Sequence, residues 1–215
     1  TLYSMTFNND LGADYDSLAA FAEYREECVR LGVNYFLEVF NPNVPRNLQA
    51  ESMPFFVNDM IVRALAGVTE PERPKFLKIA YNGATALDEL VTYDPSLVVG
   101  ILGGSAGTTR DCLELLRQAE WNGARVALFG RKINLAESPL DLVALFRPVV
   151  EGLIAPKEAV RAYHDRLMQQ GLKPNRPLAD RRIGNITRRP AAELCQRPAA
   201  SWRFFSPDCR QRFGR

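Results

Sequence analysis

The chain has 215 residues, of which 47% are hydrophobic and 24% are charged, a composition typical of a globular protein with one sizeable core. No apolar run approaches the roughly 18 residues that a membrane-spanning helix needs. The N-terminal TLYSMTFNND has no basic region before an apolar one, so no signal peptide is visible. We therefore expect no membrane association and a cytoplasmic protein.

The cysteines and the histidine offer little for a metal site. Cys28, Cys112, Cys195 and Cys209 are scattered without any CxxC pair, and His164 is the only histidine. A structural zinc site needs about four ligands at closer spacing. We expect no metal, no cofactor, and reduced thiols that pack as small hydrophobic groups.

The charge of the chain changes sign near residue 181. Residues 181–215 contain nine arginines, no lysine and two acids, a formal charge of +7, whereas residues 1–180 carry −5. Arginine interleaved with aromatic residues can bind single-stranded nucleic acid. No RNA-binding fold accompanies this tail, so we interpret it as a disordered extension and expect no nucleic-acid partner.

The first 180 residues alternate strand-like and helix-like patterns. Short apolar segments rich in aromatic and β-branched residues predict strands at 2–7, 34–40, 75–81, 97–102 and 126–129. Helical periodicity predicts helices between them, among them 17–31 and a last one at 156–170. Thr108 and Ser138, each with an aspartate three residues later, resemble capping boxes, and Gly123 and Gly171 predict helix ends.

Alternating strands and helices imply a mostly parallel sheet covered by helices. In the second and third predicted strands one face is purely hydrophobic, whereas the other face carries Glu38 and Lys78. That asymmetry favours a β/α barrel, whose interior carries the site near the carboxyl ends of its strands, over an open sheet buried equally on both faces.

A complete barrel of this kind has eight strands in about 250 residues. Five strands in 180 residues, with Thr1 already next to a strand pattern, lead us to expect an α/β chain of the (β/α)8 TIM-barrel type that lacks about the first three βα units. The expected organisation is a partial barrel of strands 4 to 8 at 1–155, a C-terminal helix and link at 156–180, and the arginine-rich tail at 181–215.

Lys78 stands in the middle of an apolar strand pattern, FLKIAYNG at 76–83. A buried ammonium needs a counter-charge or must lose its proton, because desolvation disfavours the charged form. If consecutive strands are neighbours, Glu38 projects into the same interior, where it can hold the lysine, exchange protons with it or neutralise it. A buried ion pair without catalytic duty is the alternative interpretation.

Two glycine loops follow the last two predicted strands. They are GGSAGTT at 103–109 and GRK at 130–132. In a barrel, the loops after the last two strands commonly bind phosphate, because glycines allow the backbone N–H groups to approach an anion.

The order of these segments resembles the C-terminal part of the archaeal-type class I aldolases, in the fructose-bisphosphate aldolase-like superfamily. The segments that resemble the family are, in order, KIAYNG, an apolar strand ending in GG, a helix, NGARVALFGRKIN and SPLDLVALFRPVVEG. The resemblance covers about residues 1–155 and implies that Lys78 is a Schiff-base lysine on the sixth strand, with Tyr81 and Gly83 completing its motif. It also implies phosphate binding by Gly103, Gly104, Ser105, Gly130 and Arg131.

One position departs from the family pattern. Where a tyrosine involved in proton transfer often follows the fifth strand, this chain has Phe40. Glu38, Tyr81 or a residue outside this chain would then transfer the proton. The fourth strand, LYSMTFNND, would direct Ser4 toward the interior.

The expected function is that of a class I aldolase-like lyase, which forms a lysine Schiff base with a phosphorylated sugar or keto substrate for C–C bond cleavage or formation. We expect a homo-oligomer. Two alternatives stay open. One is a catalytically inactive truncated barrel that acts as a binding or assembly module through its open edges, and the other is a phosphate-binding barrel with another reaction, such as isomerisation.

Overall fold

A computed structural model describes residues 1–103 and 107–178 of the chain. The predicted site residues Gly104 and Ser105 and the predicted tail at 181–215 lie outside the described residues. The strands are β1 (Leu2–Thr6), β2 (Phe36–Phe40), β3 (Leu77–Ile79), β4 (Val99–Leu102) and β5 (Val126–Leu128). The helices are α1 (Leu11–Leu31), α2 (Met53–Leu65), α3 (Ala84–Tyr93), α4 (Thr109–Trp121), α5 (Gly130–Asn134), α6 (Pro139–Ala144), α7 (Phe146–Val150) and α8 (Pro156–Gln169), with a 3-10 turn at Glu70–Glu72.

The five strands form one parallel sheet in the order β1-β2-β3-β4-β5. Each strand therefore lies beside its neighbour in sequence, and helices connect them, as in a β/α barrel. All five strands lie where the sequence predicted them, and the partial β/α barrel is confirmed. Within the described residues, β1 and β5 form the two edges of the sheet.

One face of the sheet packs against the helices. Leu37 and Val39 of β2 are fully buried, as is Leu77 of β3. They meet apolar helix side chains such as Ile61 of α2 and Leu113 of α4 in one continuous core. The period-two pattern of the strands thus predicted the core face correctly, and it leaves Glu38 and Lys78 on the opposite face.

The helix boundaries follow from their caps. α1 begins at Leu11, six residues before its predicted start, because the Asp10 carboxylate accepts a hydrogen bond from the Ala13 N–H. Thr108 and Asp111 form the predicted capping box of α4. The capping box predicted at Ser138 is wrong, since its hydroxyl donates to the Asp141 carboxylate and makes no cap with the backbone.

The C-terminal helices pack against α4 and against one another. α8 packs with α4 and α6 through fully buried Tyr163, whose hydroxyl accepts a hydrogen bond from the Ser138 N–H and donates one to Glu137. Gly171 adopts a left-handed conformation, φ 69°, at the end of α8, as predicted. No helix in the described parts of the chain has the length and apolar character required to span a membrane.

Candidate active site

Lys78 and Glu38 occupy directly paired positions of β3 and β2. The Lys78 ammonium lies 2.6 Å from the Glu38 carboxylate. Glu38 is buried, with 5% of its surface exposed, whereas 21% of the Lys78 side chain is exposed. The carboxylate is therefore the more deeply buried partner of the pair, and the lysine side chain stays partly exposed.

Ser4 holds the second oxygen of the same carboxylate. It pairs with Glu38 across β1 and β2, and its hydroxyl donates a 2.9 Å hydrogen bond to Glu38 Oε2 while Oε1 faces Lys78. Both oxygens of the buried carboxylate are thus engaged, as a buried charge requires. This fixes the orientation of Glu38 toward the amine.

The residues paired with Lys78 on its two neighbouring strands differ in kind. Ser4, Glu38 and Lys78 stand side by side on consecutive strands, and the next position, on β4, is Gly100. Lys78 therefore has a carboxylate on one side and no side chain on the other. A Cβ added to Gly100 would lie 3.1 Å from the Val126 Cβ, so Val126, the paired residue of β5, packs closely against this glycine.

Tyr81 lies apart from this pair. Its ring packs against the core, and its hydroxyl is 3.4 Å from both the Gln118 and the Asn122 side-chain amides, at the C-terminal part of α4. The alternation of β3 places Tyr81 on the helix side of the sheet, opposite Lys78. The structure thus brings Lys78 and Glu38 together without Tyr81, which joins β3 to α4.

The loops at the carboxyl ends of β2 and β3 are tied to each other. The side-chain amides of Asn41 and Asn82 exchange hydrogen bonds of 2.8 and 2.9 Å. Asn8, after β1, accepts bonds of 3.1 Å from the N–H groups of Asn43 and Val44. These bonds hold three neighbouring loops together above the Lys78 level.

Phe40 ends β2 beside this rim, opposite Thr6 of β1, with 42% of its surface exposed. It stands where the resembling family often has a tyrosine, and a phenyl ring has no proton to transfer. Glu38 is therefore the titratable group within contact of the Lys78 amine in the described part of the chain.

Of the predicted phosphate-binding residues, Gly103, Gly130 and Arg131 are described. A Cβ added to Gly103 would lie 2.7 Å from the ring of Phe129 and 3.2 Å from its Cα, so only glycine fits between the ends of β4 and β5. Gly130 and Arg131 begin α5 immediately after β5. The two glycine loops are therefore in contact, which brings these residues together at one end of the sheet.

The described residues offer no grouping of three or more His, Cys, Asp or Glu side chains that could hold a metal ion. Cys28 and Cys112 are buried, and burial raises the pKa of the Cys112 thiol to about 12. Since the thiolate is the form that ligates metals, Cys112 behaves as a small hydrophobic side chain, as expected.

Sequence reasoning missed two features of the site. The hydrogen bond from Ser4 to Glu38 needs the register of β1 against β2, although the inward direction of Ser4 was predicted correctly. Asn41 and Asn82 join two loops through their side chains, and no local sequence pattern predicts that these loops are in contact.

Two solved structures with a similar fold are fructose-1,6-bisphosphate aldolases. One is a fructose-1,6-bisphosphate aldolase studied through its reaction intermediates, which is 17% identical with a TM-score of 0.56. Another is an archaeal fructose-1,6-bisphosphate aldolase whose catalytic lysine is covalently bound to a carbinolamine intermediate, which is 18% identical with a TM-score of 0.55. The fold is that of an aldolase-like β/α barrel.

The match is partial in length. It covers 69% of this chain and 56% of each aldolase chain, so this chain spans little more than half of the aldolases that it resembles. No protein-family model matches the chain, and no curated protein does. At this identity the likeness concerns the fold, and the chemistry must be argued from the residues of the site.

Proposed function

We propose that the chain is a class I aldolase-like lyase in which Lys78 forms a Schiff base with a phosphorylated sugar or keto substrate. One observation carries this proposal: an accessible lysine on the interior face of an aldolase-like barrel lies 2.6 Å from a buried, oriented carboxylate. A purely structural ion pair does not require that the lysine side chain stay partly exposed.

The first step is formation of the Schiff base. The Lys78 ammonium passes a proton to the Glu38 carboxylate, and the neutral amine attacks the carbonyl carbon of the substrate. The resulting carbinolamine hydroxyl takes a proton back from Glu38 and leaves as water, which yields the iminium. Glu38 acts as base and then as acid, and Ser4 holds its second oxygen in both forms.

The second step is C–C bond cleavage. The iminium withdraws electrons, so the bond between the carbons α and β to it breaks when a base removes the proton of the β-hydroxyl group. The electron pair enters the iminium as an enamine, and the β carbon leaves as an aldehyde. Protonation of the enamine and hydrolysis of the imine release the second product, and the reverse sequence forms the bond.

The glycine loops position the substrate in this proposal. Gly103 and Gly130, together with Gly104 and Ser105, would bind a substrate phosphate through backbone groups, and Arg131 would add a cation. The close contact of Gly103 with Phe129 supports this, because it keeps the two loops side by side. Anchoring the phosphate holds the carbonyl near the amine.

Reductive trapping tests the proposal. The chain is incubated with sodium borohydride and each member of a panel of phosphorylated aldehydes and ketones, including dihydroxyacetone phosphate, and peptide mass spectrometry locates any adduct. We expect one adduct, on Lys78. Lys78→Met should abolish it, whereas Lys75→Met, which replaces an exposed lysine three residues away, should not.

Two outcomes would contradict the proposal. The first is a wild-type chain that gives no adduct with any compound of the panel. The second is an adduct that persists in Lys78→Met. Turnover of a phosphorylated substrate without any trapped adduct would instead favour the isomerisation alternative.

An assembly role is the second candidate function, and the open edges of the sheet favour it. In the described residues β1 pairs only with β2 and β5 only with β4, so each edge presents backbone groups that another strand can bind. We propose that these edges support a homo-oligomer. Light scattering after size exclusion tests it: an oligomer is expected, and a monomer at all concentrations would contradict it.

A further inference from the structure

Helix α1 carries a second apolar surface beside the one that it buries. Its buried residues, Asp14, Phe21 and Cys28, are seven positions apart and therefore lie on one side of the helix. A line of apolar side chains runs along α1 about a quarter turn away from that side, because its members recur at helical spacing. We call it the α1 stripe; its residues are Leu11, Tyr15, Leu18, Ala22 and Val29.

Much of the α1 stripe is open to solvent. Leu11 is 90% exposed, Tyr15 is 68% exposed and Val29 is 45% exposed, whereas the partly buried Leu18 packs against the core. A helix that packs only against a sheet usually has polar residues at such outward positions. A continuous apolar line on the surface is instead typical of a face that another segment covers.

Carboxylates border the α1 stripe on its solvent side. Helical geometry places Glu23 and Glu26 next to the stripe and Asp16 beyond them. All three are exposed, and no cation in the described part of the chain pairs with them, whereas Glu27 pairs with Arg30. In total α1 carries five acids and two arginines.

This charge selects among possible occupants of the α1 stripe. Nucleic acid and anionic membrane surfaces carry the same sign of charge as the helix, and so does α1 of a second copy. Electrostatic complementarity favours a cationic segment, and the apolar side chains of the stripe require that the segment also bring large apolar side chains.

The C-terminal part of the sequence has this combination. Residues 202–213, WRFFSPDCRQRF, contain four aromatic residues, three arginines and one acid. They lie outside the described residues, and the described chain stops at Leu178. The 23 residues at 179–201 span roughly 75 Å at full extension, which exceeds the roughly 20 Å width of a five-stranded sheet and the about 10 Å thickness of a helix layer. The segment can therefore reach α1.

We propose that the α1 stripe is the docking surface for residues 202–213 of the same chain. The aromatic side chains cover Leu11, Tyr15 and Val29, and the arginines pair with Glu23 and Glu26. Because the segment is tethered, its effective concentration at the stripe is in the millimolar range, and a weak contact suffices. The proposal does not depend on a Schiff base at Lys78.

Acrylamide quenching of Trp202 fluorescence tests the proposal. The parent chain carries Trp121→Phe, which leaves Trp202 as the only tryptophan. We expect acrylamide to quench Trp202 at least threefold less efficiently in this chain than in a free peptide of residues 202–213. Leu11→Ser with Tyr15→Ser should raise the quenching to that of the peptide, and Glu23→Lys with Glu26→Lys should raise it at least twofold.

Leu140→Ser and Asp165→Lys are the matched controls, because they change an exposed leucine of α6 and an exposed acid of α8. Both should leave the quenching unchanged. Phe204→Ser with Phe205→Ser alters only the proposed docking segment and should also release Trp202. It keeps the test valid even where a variant of α1 disturbs the fold.

Three results would overturn the proposal. The first is quenching of Trp202 in the parent chain that equals the quenching of the free peptide. The second is protection of Trp202 that both variants of α1 retain, since the segment would then bind elsewhere. The third is protection that is lost on hundredfold dilution, because the segment would then bind a second copy and not its own chain.

Discussion

Glu38 and Lys78 face each other at paired positions of neighbouring parallel strands, 2.6 Å apart, and the carboxylate is the more deeply buried of the two. Each residue is the other's charge partner. Glu38 has a second bond, to Ser4, whereas 21% of the Lys78 side chain is exposed. Replacing either residue alone therefore has a different consequence from replacing both.

Glu38→Gln should lower both stability and adduct formation. Removing one member of a buried ion pair costs roughly 3–5 kcal/mol, and because 21% of the Lys78 side chain is exposed we expect about 2 kcal/mol in urea unfolding. The rate of borohydride-trapped adduct formation should fall about 100-fold, since the general acid and base is lost. Glu26→Gln, on the exposed face of α1, should change neither quantity, and equal effects of the two variants would contradict the assignment.

The double variant Glu38→Leu with Lys78→Met should be more stable than Glu38→Leu alone. The single change leaves an ammonium without its counter-charge, whereas the double change replaces the pair by apolar side chains, which is often neutral or stabilising. A double-mutant cycle in urea should give a coupling energy of about 1–3 kcal/mol. Additive effects would show that the 2.6 Å contact contributes nothing to stability.

Ser4→Ala should weaken the site without unfolding the chain. It removes the hydrogen bond to Glu38 Oε2, which costs about 1–2 kcal/mol for a bond to a charged group. The orientation of the carboxylate toward Lys78 should loosen, so the trapping rate falls. Ser4→Thr keeps the hydroxyl and should restore the rate, and a rate unchanged in Ser4→Ala would exclude the positioning role.

The strands and their core face could be predicted from the sequence because they depend on local alternation. The second, third and fourth predicted strands start two residues before the observed ones, yet hydrogen bonds to the neighbouring strand begin there: the Phe36 N–H donates to the Thr1 carbonyl, and the Lys75 N–H donates to the Tyr35 carbonyl. For Tyr81, the strand alternation and the family motif led to different predictions. The alternation predicted that Tyr81 lies on the helix side of the sheet, whereas the family motif suggested a catalytic role. Its hydroxyl lies 3.4 Å from Gln118 and Asn122 at the end of α4, which agrees with the alternation.

Contacts between distant segments were beyond sequence reasoning. The bond between Ser4 and Glu38 depends on register, which a single-sequence pattern does not specify. The Lys132 ammonium donates a hydrogen bond to the carbonyl of Gly107, 25 residues before it, and no periodicity relates these two positions. These features depend on how βα units pack, which becomes visible only in three dimensions.

Asp94 should make stability depend on pH. The Ser96 hydroxyl and, after it, Arg73 lower the pKa of Asp94 below its ordinary value, with burial opposing them. A lowered pKa in the folded state gives stability that is present above the unfolded-state pKa, about 4, and lost as the pH falls through the folded-state value. Asp94→Asn should therefore be less stable than the wild type at pH 7, by about 1 kcal/mol.

The difference between Asp94→Asn and the wild type should shrink as the pH falls below about 4, because the wild-type carboxylate then becomes protonated. Urea unfolding at a series of pH values measures this. Asp16→Asn changes the net charge equally on an exposed part of α1 and should stay within about 0.5 kcal/mol of the wild type at pH 7. A difference that grows toward acidic pH would contradict the sign of the effect.

Gly103→Ala and Gly130→Ala should differ sharply, although both lie in glycine loops. A Cβ at Gly103 would come within 2.7 Å of the Phe129 ring and 3.2 Å of its Cα, and the nearby backbone leaves the ring little room to shift. Overpacking of this kind costs about 1–3 kcal/mol. At Gly130 a Cβ would meet no atom within 4 Å, so the same substitution should change the free energy of unfolding by less than about 0.5 kcal/mol. Urea unfolding of the two variants measures the contrast, and similar stabilities would mean that the ends of β4 and β5 are not in close contact.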